Sequence, residues 1–312
     1  MTSASSGFSV IIPAYRAGKT IAVTLRSVAE QSLVPAEILI YEDGCFDDLA
    51  RTVEDFARTA PCPVRLHGCP VNGGVSRARN LLLREARGEF VAFLDADDIW
   101  APDHLACAAA CFAAGADVAF SGVTFIDASG IPLPGRAEPT PAQMADIAPT
   151  MFRYNFVQCT STLSVRRSWI GRVGDFDVKL SHGEDLDLWL RLLAAGAVWR
   201  YTGRCSCAYR KHPKSAMGQT FLVVERMAAF YEKHLHNPLI PRAVRRRALI
   251  SNRRAQARLN WRRRPSEAAA ALRRLVRLQP WNPIHLAALS GVTVWSWFAS
   301  TCPAAVTQIR AT

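Results

Sequence analysis

The sequence predicts an α/β fold, with a mainly parallel sheet flanked by helices and a C-terminal helical extension. Short apolar, β-branched runs alternate with segments whose apolar residues recur at helical spacing, which is typical of βαβ units. After Pro241 the pattern changes to an arginine-rich helical region. A chain of 312 residues is long enough for one large α/β domain with such an appendage.

The elements of the first half follow from composition and periodicity. Apolar, β-branched runs that stop at polar turns predict strands, and positions such as Ile21, Leu25 and Val28 predict a helical face. Asp47 is the expected cap of the second helix. The predicted strands are residues 8–15, 37–41, 64–67, 90–94 and 117–126, and the predicted helices are 20–31, 49–56, 75–86 and 102–114.

The second half is less regular. Residues 130–150 are rich in Pro and Ala without clear periodicity, and are predicted to form a loop or lid. We predict strands at 160–165 and 198–209, and helices at 185–195 and 221–235. No internal repeat is found.

The charge divides the chain into two predicted domains. Residues 1–239 carry 24 basic and 25 acidic residues, and are predicted to form the catalytic domain. Residues 240–312 carry 14 arginines against the single acid Glu267, and are predicted to form an Arg-rich helical extension. The net charge of +12 therefore comes from the tail.

The cysteine count and the N-terminus indicate the compartment. Nine cysteines, an odd number without zinc-type spacing, favour reduced thiols. The N-terminus lacks the basic and apolar regions of a secretory signal. We therefore expect a cytoplasmic protein.

Acid-containing turns follow three predicted strands, at residues 13–16, 42–44 and 95–98. In an open parallel sheet, ligands bind beyond the carboxyl ends of the strands. Asp95 and Asp97 are two residues apart, so on an extended segment both carboxylates can face one ligand. Carboxylates hold Mn²⁺ or Mg²⁺ beside substrate phosphates. Any one such acid could instead cap the next helix.

Four segments together resemble the family 2 glycosyltransferases, which have the GT-A (Rossmann-like) fold and transfer the sugar with inversion. They are SVIIPAYRAGKTIAVTLRSVAEQS, ILIYEDGCFDD, NGGVSRARNLLLREARGEFVAFLDADD and VGDFDVKLSHGEDLDLWLRLLAAG, and the resemblance covers about residues 8–215. It implies an enzyme that moves a sugar from a UDP-, GDP- or dTDP-linked donor to an acceptor hydroxyl. Surface glycan or polysaccharide synthesis is the implied setting.

The resemblance also implies roles for individual residues in donor binding. Pro13 and Tyr15 line the nucleotide pocket, Asp43 accepts a hydrogen bond from the base, and Asp95 faces the ribose. Arg79 lies near the base and the phosphates.

The implied metal, Mn²⁺ or Mg²⁺, is held by Asp97, with His212 as a second candidate ligand. A surface histidine on a basic loop is an equal alternative for His212, and the neighbouring Arg210, Lys211 and Lys214 are expected to add positive charge near the diphosphate.

Asp185 is the expected catalytic base. An inverting transfer needs a carboxylate that deprotonates the acceptor hydroxyl during its attack. Glu184, Asp185 and Asp187 cluster where a helix begins. Compensation of the helix dipole is the alternative explanation, but it requires a single acid.

Two features depart from the family pattern or limit it. The second turn has Glu42-Asp43-Gly44-Cys45-Phe46, where the family usually has two Asp before Gly and then Ser-Thr. A Q-x-x-R-W motif of processive synthases is absent from the sequence, which favours transfer of one sugar per acceptor. The alternative functions are an inactive nucleotide-sugar binding protein and, ranked lower, nucleic-acid binding by the tail.

The tail leaves two alternatives open. Arg clusters lie beside residues 278–309, which carry no formal charge and include several aromatic residues. This pattern favours contact with the anionic inner face of the plasma membrane, and equally a helical appendage packed on the catalytic domain. A membrane-spanning helix is disfavoured. A saccharide or a lipid-linked saccharide is the expected acceptor.

Overall fold

The computed structural model describes residues 5–44, 48–211, 220–261 and 264–301. The chain forms two compact units, Met1–Ser215 and Ala216–Thr312. The helix expected at 221–235 therefore belongs to the second unit, and the boundary predicted after residue 239 falls inside that unit. The predicted capping residue Asp47 lies outside the described residues.

Four parallel strands form one half of the sheet in the first unit. They are β1 (Ser5–Ala14), β2 (Glu37–Asp43), β3 (Val64–Cys69) and β4 (Gly88–Phe93), in the spatial order β3-β2-β1-β4. A helix returns the chain after each of the first three strands, and these helices are α1 (Ile21–Ala29), α2 (Leu49–Ala57) and α3 (Val75–Glu85). Such crossovers are what parallel pairing requires.

The other half of the sheet is mixed. Its strands are β5 (Ile99–Trp100), β6 (Val118–Ile126), β7 (Pro132–Ala137), β8 (Leu163–Arg166) and β9 (Trp199–Arg210). The order continues β4-β8-β6-β9-β5, with β7 on β6. Among the described strands of this half, β6 and β9 pair in parallel, and the other pairings are antiparallel. The α/β class is confirmed, and its parallel part is the half that carries the three predicted acidic turns.

Most of the expected loop or lid at 130–150 forms regular secondary structure. Residues 132–137 form β7, and two short helices follow, α5 (Pro141–Ala145) and α6 (Ile147–Arg153). Thr140 and Gln143 form a reciprocal capping box at the start of α5. These elements are too short to show the periodicity from which helices and strands are predicted.

Apolar layers cover both faces of the sheet. On one face Phe90 of β4 stacks on Phe112, with ring centroids 4.1 Å apart. On the other, Phe93 of β4 meets Trp189 and Phe176 edge-on, at 5.9 and 5.7 Å. The covering helices are α4 (His104–Ala113), α7 (Arg167–Val173) and α8 (Glu184–Ala194). Trp189 is fully buried and anchors α8 to the sheet.

The second unit consists of helices. They are α9 (Thr220–Lys233), α10 (Arg242–Asn260), α11 (Pro265–Leu278) and α12 (Pro283–Thr301). Leu272, Leu275 and Val292 form the centre of its apolar core. Asn252 donates a hydrogen bond to the Val224 carbonyl at 2.8 Å, which ties α10 to α9.

Two further observations concern the membrane and the cysteines. Among the described residues, no helix combines the length and the hydropathy that crossing a bilayer requires. The cysteines of the described part are free thiols: Cys62, Cys69, Cys107, Cys111, Cys159, Cys205 and Cys207.

Candidate functional site

The carboxyl ends of the parallel strands meet at one edge of the sheet. Ala14 of β1 lies opposite Glu42 of β2, and Asp43 of β2 lies opposite Cys69 of β3. The Leu94 amide, directly after β4, donates to a β1 carbonyl at 3.1 Å. The three predicted turns therefore share this edge, where ligands of open α/β sheets bind.

Asp43 holds a glycine-rich loop. Its carboxylate accepts hydrogen bonds from the Gly73 amide at 2.7 Å and the Gly74 amide at 2.8 Å, and its carbonyl accepts one from the Asn72 side chain. Gly44 has φ +81°, and a Cβ there would lie 2.2 Å from the Asn72 nitrogen, so this turn requires glycine. A carboxylate accepts about four hydrogen bonds, which leaves Asp43 capacity for a ligand.

Pro13 and Tyr15 lie at the end of β1. Pro13 is half-buried, whereas the Tyr15 side chain is exposed. The Arg16 guanidinium carbon lies 5.1 Å from the centre of the Tyr15 ring. The structure thus places an exposed aromatic ring and a cation at the same edge as Asp43.

The turn after β4 alternates between exposed and buried residues. Asp95 and Asp97 are partly exposed, whereas Ala96 and Asp98 are buried. The Thr24 hydroxyl lies within hydrogen-bonding distance of the carbonyls of Ala96, at 3.1 Å, and Asp98, at 2.9 Å. The two partly exposed carboxylates are a donor set suited to Mg²⁺ or Mn²⁺, which prefer oxygen ligands.

The buried Asp98 side chain stabilises this turn by hydrogen bonds. Its carboxylate accepts from the Arg210 amide at 2.9 Å and from the Ser161 hydroxyl at 2.6 Å. Ser161 in turn accepts from the Asp95 amide at 3.0 Å. Burial, and then the nearby Asp97 and Asp95, raise the pKa of Asp98 well above its ordinary value. Sequence reasoning missed Ser161, which shows no motif.

The basic segment after β9 differs from the expectation. The Arg210 guanidinium is buried; it donates to the Asp97 carbonyl at 2.7 Å and to two carbonyls of the turn after β6 at 3.1 and 3.2 Å. The Lys211 ammonium lies 3.4 Å from the centre of the Phe125 ring. The Arg210 guanidinium therefore binds backbone carbonyls and does not reach toward a diphosphate. His212 and Lys214 lie outside the described residues.

Arg79 connects the turn after β4 to helix α8. Its guanidinium donates to Asp95 Oδ1 at 2.7 Å and to Glu184 Oε1 at 3.3 Å, and it stacks over the Phe176 ring. Burial lowers the pKa of Arg79, but Asp95, Glu184 and Asp185 raise it, and the net shift is upward. The structure thus brings Arg79 and Asp95 together with the acids of α8.

A second set of contacts fixes the segment before α8. The Asn80 amide group and the Phe176 backbone exchange two hydrogen bonds of 2.9 Å. The Arg191 guanidinium donates to the carbonyls of residues 173–175 at 2.7–2.9 Å. Its Nε also donates to the fully buried Asp187 at 3.0 Å. Asp187 is therefore a structural acid.

Asp185 differs from its two acidic neighbours. Glu184 pairs with Arg79 and Asp187 with Arg191, whereas the Asp185 Oδ1 accepts from the Leu186 amide at 2.7 Å. Burial and then the negative charge of Glu184 raise the pKa of Asp185 to about 7. A carboxyl group that titrates near neutrality can take up and release a proton under physiological conditions.

The raised pKa of Asp185 has a consequence for stability. Its pKa rises from 3.8 to about 7 on folding, so the folded state holds the proton more tightly. The protonated Asp185 carboxyl group therefore adds to the free energy of unfolding at low pH, and this contribution is lost as pH rises from about 4 to about 7. We expect Asp185→Asn to melt at least about 2 °C above the parent protein at pH 8. At pH 4 the two should melt alike, and Asp55→Asn should match the parent at both pH values.

The buried Arg79 ion pairs predict a large loss of stability when the cation is removed. Arg79→Met leaves two carboxylates without their partner, which costs about 3–5 kcal/mol, or roughly 10 °C in melting temperature. Arg84 lies on the same helix, and its side chain is 67% exposed, so Arg84→Met is the matched control. Equal melting temperatures for the two variants would contradict the structural role of Arg79.

The chain is similar to known proteins. The family model described as "Glycosyl transferase family 2" matches residues 9–171. The glucosyltransferase WfaP of Escherichia coli is 26% identical over 68% of this chain and 80% of that protein. WfgD of the same species is 35% identical over 31% of this chain and 37% of that protein. The YibD match covers 28% of that protein. Two of these matches thus span less than half of the relative.

Solved structures share the fold. The first 349 residues of Staphylococcus aureus TarS, in complex with UDP-GlcNAc, align with a TM-score of 0.65 and 20% identity. This match covers 87% of this chain and 81% of that one. The Pyrobaculum calidifontis mannosyltransferase PcManGT aligns with a TM-score of 0.60 and 18% identity, over 95% and 81% of the two chains. The expected GT-A fold is confirmed, and because the family model spans just over half of the sequence, the chain belongs to glycosyl transferase family 2.

Proposed function

We propose that this protein transfers a sugar from a nucleotide-diphosphate donor to an acceptor hydroxyl, with inversion at the anomeric carbon. The observation that carries the proposal is the carboxyl group of Asp185, with a pKa of about 7, beside the Arg79–Asp95 ion pair. In this proposal Asp185 is the proton acceptor, beside the edge along which the donor would bind. The TarS structure that shares the fold holds UDP-GlcNAc, which supports a nucleotide-sugar donor.

The donor would bind along the carboxyl edge of the parallel strands. Tyr15 and Pro13 line the nucleotide pocket, and Asp43 accepts a hydrogen bond from the base. Asp95 accepts one from the ribose. Arg79 orients the Asp95 carboxylate and adds positive charge near the phosphates, because its guanidinium is already bonded to that side chain.

Mn²⁺ or Mg²⁺ would be held by Asp97, and His212, outside the described residues, is a second candidate ligand. The donor set fits, since the partly exposed Asp95 and Asp97 offer oxygen atoms. The buried Asp98 carboxylate is already bonded to the Arg210 amide and the Ser161 hydroxyl. PcManGT, of the same fold, was solved with GDP-Man and Mn²⁺. When bound, the cation stabilises the charge that develops on a leaving diphosphate.

The reaction would then be a single displacement. The Asp185 carboxylate removes the proton of the acceptor hydroxyl while the hydroxyl oxygen attacks the anomeric carbon. The bond between that carbon and the diphosphate oxygen breaks on the opposite side, and the nucleoside diphosphate leaves with the electron pair. Glu184, bonded to Arg79, keeps the start of α8 beside the donor edge.

A saccharide or a lipid-linked saccharide is the proposed acceptor, in surface glycan or polysaccharide synthesis. The E. coli relative WfaP is named as acting on a diphosphoundecaprenol-linked GlcNAc. The arginine-rich tail supports work at the anionic inner face of the plasma membrane.

The test is thermal melting of the full-length protein with UDP, GDP and dTDP, each with and without Mn²⁺. A ligand at 100 times its dissociation constant stabilises the native state by about 2.7 kcal/mol. One nucleotide should therefore raise the melting temperature only when metal is present. No shift with any nucleotide would contradict the donor site. A shift without transfer from the matching sugar donor would favour an inactive binding protein.

A further inference from the structure

An apolar pocket opens between three helices of the second unit. Its volume is about 720 Å³, within the range of roughly 300–1,000 Å³ that is usual for ligand sites. Leu272 and Leu275 of α11 and Ala257 of α10 are buried in its floor. Trp261 and Ile284 form its sides. We call it the C-terminal pocket.

Cationic and polar groups line the same pocket. Arg254 and Arg258 are exposed and lie one turn apart on α10. The Arg254 Nε donates to His285 Nε2 at 3.1 Å, so the proton of this imidazole is on Nδ1. His285 is 4% exposed, and its Nδ1 has no hydrogen-bond partner in the described part of the chain. A buried donor of this kind is stabilised by a ligand that brings an acceptor.

Exposed apolar side chains lie close in sequence to Ile284, which lines the pocket. Trp281 is 92% exposed and Ile284 is 73% exposed, and Leu286 follows on the same helix. Large apolar side chains beside arginines are typical of segments that lie in the headgroup region of anionic membranes.

We propose that the C-terminal pocket binds one acyl chain of an anionic membrane phospholipid, with the lipid phosphate on Arg254 and Arg258. The ester carbonyl of the lipid would accept a hydrogen bond from the Nδ1–H group of His285. Trp281 and Ile284 would enter the headgroup layer. This deepens the membrane contact proposed above by naming its ligand class and its residues, and it does not depend on glycosyl transfer.

A lipid fits these observations better than a nucleic acid does. The floor of the pocket is aliphatic, which suits a hydrocarbon chain, whereas bases bind on exposed aromatic faces along a basic groove. Charge complementarity favours an anionic headgroup.

The first experiment measures sedimentation of the full-length protein with vesicles of phosphatidylcholine, alone or mixed with phosphatidylglycerol. We expect partition into the mixed vesicles only. Ile284→Glu should lower it at least tenfold, and Arg258→Gln about fivefold, since each basic side chain at an anionic surface contributes roughly that factor. The matched controls are Ile131→Glu, at a position 62% exposed in the first unit, and Arg58→Gln, and both should leave partition unchanged.

A second experiment separates the pocket from the surface around it. Ala288→Phe fills the pocket, and should lower partition at least fivefold while helix content is kept. If that variant does not fold, binding of dihexanoyl-phosphatidylglycerol below its micelle concentration decides the question in the parent protein. Saturable binding of this monomeric lipid, without binding of glycerol 3-phosphate, would support the pocket, and no binding would overturn it.

Three other outcomes would overturn the proposal. One is an equal loss of partition in Ile284→Glu and Ile131→Glu. Another is full partition of a folded Ala288→Phe. The third is tight binding of a short single-stranded RNA by a protein that ignores the vesicles, which would assign the tail to nucleic acid. Nucleotide-dependent melting should stay unchanged in Ile284→Glu, so failure here is distinguishable from failure of the proposed transferase activity.

Discussion

Asp185→Asn should lower the turnover number by about 10²–10⁴-fold, the usual contribution of a general base. The amide keeps the size of the side chain but cannot take up the acceptor proton. In the parent protein the rate should fall as pH drops below about 7, because protonation removes the base. That dependence should disappear from the residual activity of the variant. The measurements are steady-state rates between pH 5 and pH 9 (a range of roughly two units on each side of the pKa).

Two controls make the Asp185 experiment specific. Donor-induced melting shifts should be the same in Asp185→Asn as in the parent, because the donor edge is intact. Asp55→Asn removes an exposed carboxylate whose partner is Arg58, and should leave the rate unchanged. If Asp185→Asn kept a third or more of the parent activity, Asp185 would not be the catalytic base.

Asp97→Ala is expected to abolish the effect of Mn²⁺ on nucleotide binding and to lower the turnover number by about 10²–10³-fold. The magnitude corresponds to the loss of one preorganised charge stabiliser of a leaving group. Because Asp97 is partly exposed and Asp98 supports the turn from below, the variant should fold normally. Melting with the nucleotide identified in the parent, with and without Mn²⁺, provides the measurement.

The matched control for this prediction is Asp103→Ala. Asp103 follows the same turn, its side chain is 34% exposed and it pairs with Arg204. It should retain the metal-dependent melting shift. An unchanged shift in Asp97→Ala itself would mean that the cation, if one is used, has other ligands.

The sequence carried enough information for the parallel half of the fold. Its central strands contain continuous apolar runs, at residues 10–12, 38–41 and 90–93, because helices cover both faces of the sheet, and all residues of β2 are buried. The alternation in Asp95-Ala96-Asp97-Asp98 is likewise local, so the shared orientation of the two partly exposed carboxylates could be predicted from spacing alone.

Other features depend on long-range contacts that periodicity does not encode. Strand direction in the mixed half is set by which strands pair, so β8 between β4 and β6 was not predictable. Arg210 is one basic residue among several in the sequence, and only the fold shows that its guanidinium holds the carbonyl of Asp97. The bonds between Asp43 and residues 73–74 join positions about 30 residues apart.

Asn80 and Arg191 hold the segment of residues 173–176 that precedes α8, and the buried Trp189 anchors α8 to the sheet. The Asp185 carboxyl is therefore preorganised, and the entropy of positioning it is lost during folding and not during substrate binding. A base that is in place before the acceptor arrives can also accept a proton from water. If Asp185 is the proposed base, slow hydrolysis of the sugar donor is the expected side reaction, and water must be excluded by whatever covers the acceptor side.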